Sequence, residues 1–277
     1  MAPPYPLIFA AMALVTLAPP ELLAAASPLD VKPMIIGGDT ALPGQFPYQV
    51  SVRRLSWFPW AAWRHRCAGT LVSNDWVLTT ATCTQGVWFL RVAAGKVDLK
   101  HTEDGEQELA VSKTVVHPDF KRATKSSWQS DVALLRTNTP FQYSANVRPA
   151  RLPLAEFDTS SGGALLVTGW GVSENGGWFG WGRHTADVLQ VTVVQTTACP
   201  SAGDAGSGGL CVLPDSAATP CEGDEGGAMV QMLGDYTFTV VGMVTRAPVH
   251  CKSPREPSAA VAVFRLMSFI QDTMTAP

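Results

Sequence analysis

The chain has 277 residues, of which 46% are hydrophobic and only 16% charged, and its formal net charge is −3. That is enough apolar material for one large domain or two small ones, and the weakly acidic balance argues against nucleic acid as a partner. Gly (24) and Pro (21) are abundant, which favours many turns and short strands over long surface helices.

The first element is Leu7–Leu17 (LIFAAMALVTL), an apolar run too short to span a bilayer. Ala24 and Ala26 follow it as a small-x-small cleavage site, so residues 1–26 read as a secretory signal. No later segment is apolar enough over sufficient length to cross a membrane, and the expected location is extracellular. From Ile35 the pattern turns to β. Tyr48–Val52, Thr70–Thr79, Val111–Val116, Val132–Leu135, Leu165–Thr168, Val188–Val194 and Phe238–Val244 are short β-prone runs separated by Gly, Pro and Asn. Such spacing suggests a barrel or sandwich. Asn146–Pro153 is interrupted by proline and is placed to link two halves. At the end, Val263, Met267, Ile270 and Met274 fall at helical spacing and predict a terminal amphipathic helix.

Three features stand out from this background. Six cysteines (Cys67, Cys83, Cys199, Cys211, Cys221 and Cys251) in a secreted chain imply disulfides. Each is worth about 2–5 kcal/mol, and six cysteines alone leave the pairing open. No C-x-x-C or H-x-x-x-H spacing supports a metal, and no cofactor is implied. Second, Arg53–Arg66 (RRLSWFPWAAWRHR) and Gly176–Arg183 (GGWFGWGR) concentrate aromatic residues and read as surface loops. Trp57, Trp60, Trp63, Trp178, Phe179 and Trp181 there form a candidate exosite for a protein or peptide, since Trp, Phe and Arg are enriched in binding hot spots. The competing reading is that these rings pack on their own barrel. Arg53, Arg54, Arg64 and Arg66 offer a weaker option, a polyanion. Third, Cys221–Val230 (CEGDEGGAMV) has two glycine turns that present position 225, a glutamate.

The ordered landmarks IIGG (35–38), CAGTLVSNDWVLTTATC (67–83), SDVALLR (130–136), VTGWG (167–171), CEGDEGG (221–227) and VVGMVT (240–245) resemble those of the trypsin/chymotrypsin-like serine proteases. The resemblance runs from Ile35 to the C-terminus. It implies an all-β fold of two antiparallel six-stranded β-barrels, about 35–145 and 146–277, with a C-terminal α-helix and a cleft between the barrels. It implies a short propeptide over 27–34 and the disulfides Cys67–Cys83, Cys199–Cys211 and Cys221–Cys251. It also implies that the two aromatic segments flank the same side of the cleft.

That family's chemistry needs a serine nucleophile, a histidine base and a buried aspartate. The matching positions here are Glu225, Thr82 and Asp131. A threonine hydroxyl does not titrate near neutrality and cannot serve as the base. Loss of the base or nucleophile alone costs about 10⁶ in kcat in a triad of the same geometry. The resemblance puts oxyanion-hole donors at Gly223 and Glu225, and the glutamate side chain is expected to fold back onto them. Specificity-pocket positions fall on Thr219, Thr245, Arg246, Ala247 and Ser258, none of which anchors a Lys or Arg substrate side chain. Ile35 and Asp224 match the family's activation pair, but Met34 precedes the cut where Lys or Arg is usual. Lys96 stands where trypsin has a calcium-binding glutamate, so an exposed ion pair with Glu106 is expected in place of the metal. The expected function is therefore that of a secreted, non-catalytic homologue acting by protein or peptide binding. The alternatives are a serine-type endopeptidase, or a carboxylate-based hydrolase using Glu225 and Asp131.

Overall fold

A computed structural model describes residues 38–57, 61–121, 130–158, 164–172, 185–199, 209–213, 219–234, 237–248 and 258–276. The leader over 1–26, the segment 27–34 and Ile35 lie outside them, as do Trp60, Trp178, Phe179, Trp181 and Cys251.

A short strand β1 (Asp39–Thr40) precedes β2 (Gln49–Ser56), β3 (Ala62–Leu71) and β4 (Trp76–Thr79). One helical turn, α1 (Ala81–Thr84), leads to β5 (Leu90–Ala94), β6 (Gln107–Val116) and β7 (Ala133–Thr137). These strands close as a six-stranded antiparallel barrel in the order β2-β3-β4-β7-β6-β5. The second half holds β8 (Ala164–Gly169), β9 (Gln190–Ala198), β10 (Gly209–Val212), β11 (Ala228–Met232), β12 (Phe238–Arg246) and β13 (Ala259–Ala262). They run β9-β10-β13-β12-β11-β8, and β8 pairs again with β9, closing a second six-stranded barrel to which β1 adds at β9.

Packing explains why the weak sequence patterns settle as strands. Val50, Val52, Leu71, Val77, Val92 and Leu135 fill the first barrel, and Leu165, Val167, Val194, Leu210, Met229 and Val244 fill the second. A third apolar cluster includes Tyr48, Leu78 and Leu134 of the first half with Trp170, Val230 and Val240 of the second. In it Phe238 stacks on Phe46 and Tyr48 at centroid distances of 5.7 and 5.1 Å. The expected terminal helix is α2 (Met267–Thr275), entered through a 3-10 turn over Val263–Leu266. Val263 and Ile270 are fully buried, while Met267 and Met274 pack at the edge of the joint cluster.

Two expectations need correcting. Arg53–Arg66 is not a loop. Its ends are the paired arms of β2 and β3, with Arg53 opposite His65, Arg54 opposite Arg64 and Leu55 opposite Trp63. A shift of register after Val52 breaks the alternation, which hides the strands in the sequence. Likewise Thr70–Thr79 is two strands divided by a turn in which Ser73 Oγ accepts from the backbone N–H of Asp75 and Trp76.

Disulfides join Cys67–Cys83 and Cys199–Cys211. Cys221 is also disulfide-bonded.

The Lys96–Glu106 pair forms, but it is buried rather than exposed. The ammonium donates to Glu106 Oε2 at 2.6 Å and to the His101 carbonyl at 2.9 Å, and the two side chains are 4% and 9% accessible. Glu103 turns inward to accept from the N–H groups of Val97 and Asp98, which closes the loop over the lysine. A cationic side chain inside the loop does not fit a bound calcium ion. Lys96→Ala strands a buried carboxylate and is expected to cost about 3–5 kcal/mol. Thermal unfolding should show that loss, whereas calcium or a chelator should leave the wild-type midpoint where it was. A midpoint that climbs with added calcium would show that the loop binds the metal.

Candidate functional site

The Cys221–Gly227 turn is built around a buried carboxylate. Asp224 accepts from Gly171 N–H at 2.8 Å and from Cys221 N–H at 2.9 Å, while its own backbone N–H donates to the Cys221 carbonyl at 2.9 Å. Room for that carboxylate exists because position 171 is glycine: a Cβ there would lie 2.4 Å from Asp224 Oδ2. Burial pushes the Asp224 pKa up to about 6. The next sharp turn requires Gly226, whose φ is +83° and whose absent Cβ would sit 2.3 Å from the Ala68 carbonyl oxygen. Gly226 N–H donates to Val244 O at 2.8 Å, tying the turn to β12.

Between these two fixed points lies Glu225. Its backbone carbonyl accepts from Ala68 N–H at 3.0 Å, and its half-buried side chain bends back so that Oε2 accepts from Gly223 N–H at 2.8 Å. Gly223, at φ +98°, supplies the conformation that aims its N–H at this carboxylate. Removal from water pushes the Glu225 pKa up to about 7, the bond from Gly223 opposes the shift, and the charges of Asp224 and Glu222 add to it.

Thr82 and Asp131 are in direct contact. Thr82 lies in α1, whose N-cap Thr80 accepts from Cys83 N–H. Thr82 donates from its backbone N–H to Asp131 Oδ1 and from its hydroxyl to Oδ2, both at 2.8 Å. Both carboxylate oxygens of the buried aspartate are therefore engaged by one residue, and burial raises the Asp131 pKa. Cys83, the residue after Thr82, places its sulfur 4.0 Å from the Glu225 carbonyl, so the two halves of the site meet at the Cys67–Cys83 bridge. Among the described residues, the one serine–histidine hydrogen bond is that of Ser51 with His65, at 2.8 Å between Oγ and Nδ1. Ser51 is fully buried, and the His65 ring packs 5.2 Å from Trp170. Removal from water lowers the His65 pKa to about 4, so the ring is neutral at pH 7.

The remaining predicted positions are partly visible. Thr219, Thr245 and Ser258 are buried. Ser258 Oγ donates to the Pro220 carbonyl at 2.7 Å, while the Thr219 and Thr245 hydroxyls have no partner among the described residues. Arg246 ends β12 beside Ala247, which packs on the second-barrel core. Of the aromatic set, Trp57 is 72% exposed, and Trp63 is half-buried beneath the Arg91 guanidinium at 4.5 Å. Arg53 is committed to Glu108 and to the Trp63 carbonyl. Arg66 donates to the Cys83, Thr82 and Gln85 carbonyls. Two of the four arginines read as a polyanion patch are thus already engaged within the fold. The sequence reading missed Trp88 and Phe89, which are 93% and 60% exposed. Their signal was present: two consecutive aromatic residues ahead of a strand cannot both enter the barrel when side chains alternate.

Glu225 gives a pH prediction with a definite sign. Its folded pKa of about 7 lies above the ordinary 4.5, so between these values the folded chain keeps a proton that the unfolded chain releases. The associated stability is complete below pH 4.5 and is lost as pH rises through about 7. Asp224, raised from 3.8 to about 6, acts in the same sense, and His65, lowered from 6.5 to about 4, opposes it. Comparison of wild type with Glu225→Gln isolates the glutamate. The variant should flatten the fall in unfolding free energy from about pH 5 to 8 in urea titrations; superimposable slopes would show that the carboxyl is in water.

Residues 35–270 match the family model described as Trypsin. Among curated relatives, the chain is 30% identical over 221 residues to Ovochymase-2 of Mus musculus, a match that covers 76% of this chain and 34% of that protein. The chain spans about a third of the length of this relative. With the two closed barrels and the terminal helix already described, the family match leads to one conclusion: the chain belongs to the trypsin/chymotrypsin-like family of serine proteases.

Proposed function

We propose that this chain is a secreted, non-catalytic member of its family that works by binding a protein or peptide, as a decoy, cofactor or regulator. The observation that carries the reading is the 2.8 Å hydrogen bond from Gly223 N–H to Glu225 Oε2. Acyl transfer on this scaffold needs that donor free for the oxygen that becomes negative in the transition state, and losing one such donor costs roughly 10²–10³ in rate. Here it is occupied by a side chain that carries negative charge when ionised, at the position from which the family's nucleophile attacks. The general base is missing as well. The Thr82 hydroxyl is a donor to Asp131, and in the Ser51–His65 pair the serine is fully buried.

The alternatives draw less support. A hydrolase working with Glu225 and Asp131 needs, beside a protonated acid, a second carboxylate free to act as nucleophile or base, yet both Asp131 oxygens already accept from Thr82. A conventional endopeptidase selecting Lys or Arg needs an anion at the base of its pocket, where Thr219 stands. A secreted location accords with the disulfides and with the apolar leader. Among the described residues, no helix is long and apolar enough to cross a membrane.

A fluorophosphonate probe tests this reading, since it labels an activated serine. The full chain is expected to remain unlabelled beside an active trypsin control. Glu225→Ser should also stay unlabelled, because the serine it supplies still lacks a base, a loss worth about 10⁶ in kcat. Labelling of the wild type, or turnover of a peptide substrate lost on substituting Glu225, would overturn the proposal.

A further inference from the structure

The paired arms of β2 and β3 carry a charge arrangement that the fold does not resolve. Arg54 and Arg64 stand directly opposite each other across the ladder, both exposed, and like charges in that relation are destabilising. Arg66 adds to them: after burial, the nearness of Arg54 is the second influence lowering its pKa. Glu108 does not relieve the crowding, because it is bound by Arg53 and Arg91. Among the described residues, no carboxylate pairs with Arg54 or Arg64.

Beside this basic edge lies a small hollow. Arg54, Leu55 and Trp57 form one wall, and Val87, Trp88 and Phe89 form the other. Its volume of about 220 Å³ is below the roughly 300–1,000 Å³ of small-molecule pockets and suits one large side chain. Trp57, Trp88 and Phe89 together form an exposed aromatic rim, and such a patch usually marks an interface. Gly86 lines the hollow next to Gln85, whose carbonyl accepts from Arg66 together with those of Thr82 and Cys83.

We propose that this hollow docks an extended, acidic peptide segment of a partner protein, with one large apolar side chain between Trp57 and Trp88 and flanking carboxylates on Arg54 and Arg64. Charge complementarity selects the occupant. A carboxylate bridging Arg54 and Arg64 removes the repulsion across the ladder, and the aromatic walls give an apolar residue a seat that a basic or wholly polar segment cannot use. A sulfated polysaccharide fits less well, because it leaves the rings bare and finds Arg66 already engaged. The proposal deepens the binding reading above and rests on it for its biological sense, although the docking itself does not require an inert cleft.

The test uses the full chain and an array of fluorescent Asp/Glu-rich peptides, each with one variable apolar residue, read by anisotropy. Members with Phe, Tyr, Trp or Leu at the variable position should bind, and the matching Ala and Lys-rich peptides should not. Trp88→Ala and Arg54→Glu should each weaken the best peptide by about tenfold or more, close to 1.4 kcal/mol. These side chains lie at the surface, and an unchanged thermal midpoint confirms that the variants are folded. Absence of binding across the array, undiminished binding by both variants, or tighter binding of a heparin fragment that ignores Trp88→Ala would overturn the proposal. Mass spectrometry of the recovered peptides separates the two readings. Cleaved peptide defeats the inert-cleft reading and leaves docking intact, whereas whole peptide that fails to bind defeats docking alone.

Discussion

The Gly223 N–H can satisfy one acceptor, and in this molecule the acceptor is the Glu225 carboxylate. That single hydrogen bond depends on the geometry around it. Asp224 is pinned by Gly171 and Cys221, Gly226 is pinned by Val244, and the two glycines at positive φ leave little freedom between them. The same turn in an active enzyme of this family would hold its donors ready for a charge that appears only in the transition state. Here a side chain of the protein takes the Gly223 donor, and its charge develops as pH rises through about 7. Its cost is visible in the raised pKa values of Asp224 and Glu225, neighbouring acids removed from water together.

The scaffold does not need catalytic groups to hold its shape. Asp131 is satisfied by Thr82 through two hydrogen bonds, so this buried carboxylate is not stranded. Arg66 caps the carbonyls at the end of α1, the Cys67–Cys83 bridge fixes the same corner, and the Lys96–Glu106 pair occupies the interior of its loop. Each feature answers a local requirement for charge or hydrogen bonding. None requires substrate, metal or a neighbouring catalytic side chain.

Much of this was legible in the sequence because glycines and cysteines constrain the backbone strongly. Gly223, Gly226 and Gly227 around Asp224 and Glu225 announced a turn that presents a side chain, and the resemblance supplied the barrels and the pairings Cys67–Cys83 and Cys199–Cys211. What escaped reading has physical causes. The arms around Arg53–Arg66 were hidden by a register shift that destroys period-two alternation. The burial of Lys96 depended on Glu103 and Glu106 folding inward from a loop whose composition looks solvated. Trp88 and Phe89 look like core residues by type. Their exposure follows from position, since they precede the first buried residue of β5, Leu90.

Charge is divided within the molecule, and the division bears on what a bound segment would experience. Glu222, Asp224 and Glu225 gather in the turn, with Asp131 behind Thr82, while Arg54, Arg64 and Arg66 gather along the β2–β3 arms. Arg66 is the hinge between these regions, bonded to the helical turn that carries Thr82. An acidic segment drawn to Arg54 and Arg64 is attracted at the edge and repelled as it nears Glu225, the more so as pH rises through about 7 and that carboxyl ionises. In a catalytic relative the cleft must draw substrate inward. On this two-barrel frame the basic arms and the acidic turn act on a charged segment in opposite senses, so the proposed docking at the rim and entry into the turn are electrostatically distinct events.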